Sequence, residues 1–300
     1  MTQYRIGIDG TIADRNALAW IERNVRPDGD RVEIVLVGGQ QHAGMDEVRA
    51  GWLLAARQQL HQRHRQLVIT DDVSETKTAA AATSGADVLV IGVRQASPIA
   101  RALSGWVPER VTANSTIPVI AVPEHWEERP GSVVVGVDAD TSGAALQFAA
   151  ERALAAGCEM TIVRAWQVPT VSTPYGYAYV EEDRAIWARQ AEELVAHFAR
   201  IMLEQFPGLR IRTAVRKGRA GDVIAGLSTS ASLLVVGRRH HTLFGGALFG
   251  SVGQQLLRDS GIPVATVPPD ATVRSSAANT DAQIAQLKAD IAVRTVLGAR

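Results

Sequence analysis

The chain has 300 residues, 46% of them hydrophobic and 21% charged, so it can bury proper cores, and its length suits two domains better than one. Its 31 basic and 31 acidic residues cancel, which removes the electrostatic case for nucleic acid or an anionic membrane as a general partner. The single cysteine, Cys158, excludes an internal disulfide and points to a reducing cytoplasm, while apolar runs of strand length are too short to span a bilayer.

The opening MTQYRIGIDG has no basic-then-apolar leader pattern. Tyr4–Asp9 reads as a strand ending in Asp9, Gly10 and Thr11, and Arg15–Arg23 as a helix with Leu18 and Ile21 three apart. Val32–Val37 is a buried strand, and Asp46–His64 a long helix striped by Trp52, Leu53, Ala56 and Leu60. A third strand, Gln66–Asp71, is expected to lead into a helix capped by Ser74 and running to Ala82. Asp87–Gly92 is a fourth strand, Pro108–Asn114 a short helix and Ile117–Val122 a fifth strand. The polar stretch Glu124–Pro130 reads as a linker.

The pattern then restarts. Val133–Asp138 is again a strand ending in aspartate, followed by a helix, Gly143–Ala156, and a strand, Met160–Trp166. Gln167–Tyr179 is an insertion carrying Tyr175, Tyr177 and Tyr179, a lid or an interface element. A long helix, Glu181–Phe206, a strand, Arg210–Val215, and a helix, Asp222–Ser228, precede the apolar run Leu233–Val236, which stops at Gly237. A glycine-rich loop with Gly245, Gly246 and Gly250 leads to a helix opened by Ser251 and a last strand, Ile262–Val267. Past Asp270 the polar stretch Ser275–Asp281 precedes a candidate helix, Ala282–Leu297, with Ile284, Leu287 and Ile291 on one face.

Landmarks in the two halves keep a fixed offset. Gly92 and Gly237 lie 145 apart, as do Gly105 and Gly250, Pro118 and Pro263, and Pro123 and Pro268. That spacing indicates duplication. Alternating strands and helices imply parallel sheets covered on both faces, so the expected architecture is α/β, two tandem five-stranded sandwiches over 1–123 and 132–268, with a linker at 124–131 and a tail at 269–300.

In such sheets ligands sit beyond the carboxyl ends of the strands, where strand order reverses. Asp138 ends the first strand of the second half and Gly237 its fourth, while Lys217 and Arg219 follow the third and Arg238 and Arg239 follow Gly237. An aspartate can accept from an adenine amino or ribose hydroxyl group, and cations with free N–H groups at a helix start suit phosphate. Strand-end aspartates and loop arginines are also common as solvated residues.

The spacing is more specific. Gly237, two residues, His240, nine residues and then Gly250-Ser251 resembles the G-x2-G-x9-G-[S/T] signature of ATP-binding universal stress proteins. The strand VVVGVD with Ala139 and Asp140 after it, and the Ile262-Pro263-Val264 strand, are similar to that family in its tandem form. The resemblance implies strand order 3-2-1-4-5, a cytoplasmic regulatory protein, and halves or subunits paired through their last strands, as a self-associated or an intrachain pseudo-dimer. It also implies an adenine nucleotide, ATP or a relative, with or without magnesium, held by Asp138, Ala139, Lys217, Arg219, Gly237, Arg238, Arg239, His240, Gly250 and Ser251.

Two departures stand out. His240 replaces the middle glycine, where an imidazole either crowds the pocket or contacts phosphate. In the first half the motif reads Gly92, Gln95, Gly105, Trp106, and the third strand is expected to be followed by Asp71-Asp72, which would repel phosphate. The first half therefore reads as a structural partner. No G-x-S-x-G or G-x4-G-K-[ST] motif occurs, and His240-His241 has no neighbours to complete a metal site. The rival readings are a nucleotide-free protein-interaction module and a slow ATP hydrolase.

Overall fold

Val133, Val135 and Val137 pack into one apolar cluster and Val134 into another on the opposite face of the same strand. That two-sided burial recurs along the central strands, as a parallel sheet sandwiched by helices requires. The computed structural model describes residues 1–37, 45–76, 85–94, 107–167, 170–173, 176–179, 184–238 and 250–271. The first half runs β1 (Gln3–Ile8), α1 (Ile12–Asn24), β2 (Arg31–Val37), α2 (Met45–Arg63), β3 (Val68–Thr76), β4 (Val88–Val93), α3 (Val107–Asn114) and β5 (Val119–Pro123). The second runs β6 (Ser132–Gly136), α4 (Gly143–Ala155), β7 (Met160–Trp166), a hairpin of β8 (Thr170–Thr173) and β9 (Gly176–Tyr179), α5 (Arg184–Gln205), β10 (Ile211–Lys217), α6 (Ala220–Ala225), β11 (Ala231–Gly237), α7 (Ser251–Asp259) and β12 (Val264–Val267).

The strands form one sheet in the order β10-β7-β6-β11-β12-β5-β4-β1-β2-β3. Each half keeps the expected order 3-2-1-4-5, parallel throughout, and the two five-stranded sheets are one continuous sheet rather than two. β5 and β12 pair antiparallel and fuse the halves into a ten-stranded layer. The register explains why the join works. Ile120 faces Ala265, its own counterpart at the 145-residue offset, while Ala121 faces Val264 and Val119 faces Thr266. Each flanking pair is the other seen from the opposite half, so the seam is self-complementary, as in an isologous dimer contact. Pairing the two last strands also removes two sheet edges that would otherwise expose unpaired amides and carbonyls.

Side chains lock the seam on one face. Arg152 of α4 donates a hydrogen bond to the Tyr4 hydroxyl of β1 and lies over the Tyr4 and Phe148 rings. Burial raises the Tyr4 pKa against the lowering effect of Arg152, so the pair is a neutral phenol with a guanidinium at ordinary pH. The linker is strapped to α1. Asn16 donates to the carbonyls of Pro123 and Glu124, Arg23 pairs with Glu128 and covers the Trp126 ring, and Trp126 packs against the core.

Two expectations for the first half fail at the same place. β3 continues through Ser74 to Thr76, so Ser74 lies in a strand rather than at a helix start, and the stretch expected to be helical up to Ala82 lies outside the described residues. Asp71 and Asp72 sit within that strand opposite Ile34 and Val35 rather than in a loop beyond it. β3 is an edge strand with one neighbour, so alternate side chains can stay wet, and Arg57 of α2 pairs with the Asp71 carboxylate at 2.8 Å. The tyrosine insertion is the β8–β9 hairpin, with Tyr177 and Tyr179 on β9; Tyr175 and the tail beyond Ala271 lie outside the described residues.

Candidate functional site

β6 and β11 are neighbours and parallel, with Gly136 opposite Val236. The chain leaves β6 into α4, which packs with the Val133 and Val135 cluster, and leaves β11 toward α7, which packs with Val134 and Leu234 on the other face. Strand order therefore reverses between β6 and β11, and their carboxyl ends flank the crevice such folds use for ligands.

Asp138 stands just beyond β6 and folds the turn onto itself. Its amide donates to Thr141 Oγ1 at 2.7 Å, and its Oδ1 accepts from the Asp140 amide at 2.9 Å and from the Thr141 hydroxyl at 3.1 Å. These are the local side-chain bonds that aspartate and threonine offer a turn. Ala139, at the tip, is exposed. Ser142 precedes α4 without a capping bond, and its Oγ is buried with no partner among the described residues. At β11, Gly237 is fixed by close packing, since an added Cβ would stand 3.3 Å from Ala145 Cβ in the first turn of α4. A side chain there would press the strand end away from the helix start by a few tenths of an ångström.

The far side of the crevice is the start of α7. Gly250 is its N-cap, and among the described residues nothing lies within 4 Å of where a Cβ would be. The first intrahelical bond runs from the Gln254 amide to the Gly250 carbonyl, so the amides of Ser251, Val252 and Gly253 precede the ladder and point toward solvent or a ligand. The helix dipole favours an anion there. Ser251 is exposed. Farther along the same sheet edge, Lys217 ends β10 opposite Trp166 and is exposed. Arg219 is exposed at the start of α6, after Gly218, whose φ of 148° favours glycine.

The structure thus places Asp138, Ala139, Lys217, Arg219, Gly237, Gly250 and Ser251 at the carboxyl edge of one half-sheet. Arg238 also starts there, but its guanidinium is turned into the seam, donating to the carbonyls of Thr112 and Ala113 at 2.8 and 2.6 Å. Burial lowers its pKa, opposed by the Asp270 charge. Arg239 and His240 lie outside the described residues. Sequence reading missed Arg164, the one cation in the strand MTIVRAW, whose Nη1 donates to the Val137 carbonyl at 3.3 Å beside Asp138. A charge directly after the buried run Met160–Val163 was the available signal. It also missed the Thr141 hydroxyl and the Ser142 Oγ.

The donor set suits an anionic group: helix-start amides, a buried hydroxyl without a partner among the described residues, and exposed cations. Among the described residues no group of three or more His, Cys, Asp or Glu side chains could hold a metal ion, and no helix is long and apolar enough to cross a membrane.

The matching turn in the first half is built differently. Asp14 Oδ2 accepts from the amides of Asp9, Gly10 and Thr11 at 2.8, 2.7 and 3.0 Å. Burial, with the Asp9 charge as the next cause, raises its pKa to about 6 although those three bonds oppose the rise. Gly10 has φ of 84°, and a Cβ on it would fall 2.2 Å from the Trp52 ring. Gln95, Gly105 and Trp106 lie outside the described residues.

Comparison with known proteins follows the same division. The universal stress protein family model matches residues 5–123 and again residues 131–268. A universal stress protein of Mycobacterium tuberculosis is 25% identical, across 89% of this chain and 96% of its own length. One from Mycolicibacterium smegmatis is 32% identical over 46% of this chain and 48% of its own. Among solved structures, a universal stress protein from Archaeoglobus fulgidus superposes with TM-score 0.61 at 17% identity, covering 89% of this chain and 96% of that one. A functionally unknown protein from Pseudomonas aeruginosa gives TM-score 0.56 at 13% identity, covering 97% and 98%.

Proposed function

The chain belongs to the universal stress protein family in tandem form, and on that premise we propose that it binds ATP or a related adenine nucleotide in its second half, as a regulatory protein without efficient turnover. The observation that carries this reading is the pairing of Gly237, packed against Ala145, with Gly250, open at the start of α7. The two glycines frame the crevice at the strand-order reversal, one by close approach and the other by clearance. Helix amides and the cations Lys217 and Arg219 supply the attraction for phosphate. Asp138, Ala139 and Ser142 supply polar groups for base or ribose.

The first half serves as a structural partner. Its turn amides are engaged by Asp14, and its last strand completes the sheet.

Calorimetric titration of the full chain with ATP tests the reading. The expected result is saturable heat with a rise in melting temperature; no heat and no stabilisation at millimolar ATP overturns it. Phosphate release at the buffer rate is expected in the same samples, and release well above that rate replaces binding with hydrolysis.

A further inference from the structure

We propose that Arg238 is a positioning residue which couples the ligand edge of the second half to helix α3 of the first. The inference rests on the second half being the ligand site, but the contact that carries it does not. Arg238 follows Gly237 directly, and its own amide donates to the Val267 carbonyl of β12. Its side chain leaves the crevice and ends on the Thr112 and Ala113 carbonyls. Those residues lie in the last turn of α3, where carbonyls lack helical partners and the dipole is negative. The guanidinium is therefore a C-terminal cap supplied by the other half of the molecule. The site is built, since Thr112 is 1% exposed and the Asp270 charge favours the cation that burial disfavours.

A second tie runs parallel to the first. Arg258 Nε of α7 pairs with Glu109 of α3 at 3.2 Å while holding the Gln254 carbonyl and side chain of its own helix. The residue that leaves β11 and the helix that begins at Ser251 are thus both fastened to α3. The arrangement is one-sided. At the 145-residue offset the counterpart of Arg238 is Val93, a buried apolar residue that can cap nothing. Movement at the ligand edge is transmitted to the first half through a contact with no return copy among the described residues.

The test uses the full chain, ATP as probe, and amide hydrogen exchange across α3 and Ser115, whose amide donates to the Val111 carbonyl. Without ligand, Arg238→Ala should speed exchange in the last turn of α3, and Arg238→Lys should restore part of the protection. With ATP, α3 of the wild type should exchange more slowly. The alanine variant should bind about five- to tenfold more weakly, with the salt dependence of binding unchanged. Glu109→Gln should act in the same direction with a smaller effect. Unaltered α3 exchange in ligand-free Arg238→Ala overturns the cap. A flattened salt dependence with no ATP-linked change at α3 overturns the coupling, because Arg238 would then be touching phosphate. If the wild type takes up no ATP, the functional reading and the coupling fall together, while the ligand-free exchange still decides the cap.

Discussion

The two halves close the same turn with different chemistry. After β1 a carboxylate, Asp14, gathers three backbone amides; after β6 a hydroxyl, Thr141, takes one. The first arrangement is self-sufficient and negative, and Trp52 presses on Gly10 beside it. The second leaves an exposed tip at Ala139 and a buried Ser142 Oγ without a partner among the described residues. A duplicated frame can thus close one turn with a carboxylate and its copy with a hydroxyl by changing a few side chains at a strand end.

Glycine replacement is the sharpest way to break the comparison. Gly10→Val places a branched side chain into the Trp52 ring at a positive φ, and should cost about 3 kcal/mol in chemical denaturation. Gly250→Val meets no described atom within 4 Å, so its melting temperature should stay close to wild type, while ATP affinity should fall about tenfold or more, roughly 1.4 kcal/mol. Equal stability losses at the two positions would erase the contrast.

Titration of the first turn should come next in size. The folded pKa of Asp14 is raised to about 6 from 3.8, so between those values the folded state holds more protons than the unfolded one. Stability from this group is therefore present below about pH 4, falls as pH rises toward 6 and is level above. Asp14→Asn should remove that fall, worth at most about 3 kcal/mol. Urea midpoints for wild type and variant should converge near pH 4 and separate at pH 7, and parallel curves would show that Asp14 titrates normally. The smallest effect belongs to Thr141→Val, which strips the acceptor from the Asp138 amide. It should cost about 1 kcal/mol and weaken ATP binding modestly, measured by the same melts and titrations.

Much of the fold was legible because duplication doubled every signal. The 145-residue offset, the aspartate-ended first strands and the apolar fourth and fifth strands all located elements correctly. The joining of the sheets was implied by family resemblance, but its register was not, since β5 and β12 are short, buried strands in which Thr266 alone breaks an apolar run. Ser74 misled because a hydroxyl before an alanine-rich stretch looks like a helix cap; the pairs that Asp72 and Thr76 make with β2 carry the strand past it instead. The candidate site was legible where backbone geometry demands glycine, at Gly237 and Gly250. Arg238 illustrates the limit. Spacing places a cation beside the phosphate loop but cannot say which way four methylene-linked bonds will turn, and the α3 carbonyls that attract it lie 125 and 126 residues away.

The seam through Ile120 and Ala265 has a consequence for synthesis. The first half emerges complete from the ribosome while β12 is still untranslated, so its last strand waits with a bare edge. Because that edge is paired by its own counterpart sequence, two nascent first halves offer each other nearly the surface that β12 will later offer. What favours the correct outcome is tethering. The strapped linker holds the second half at a high effective concentration once it folds, so intrachain closure outruns exchange between chains. Lengthening the linker, or freeing it from α1, would trade that advantage for strand-exchanged dimers.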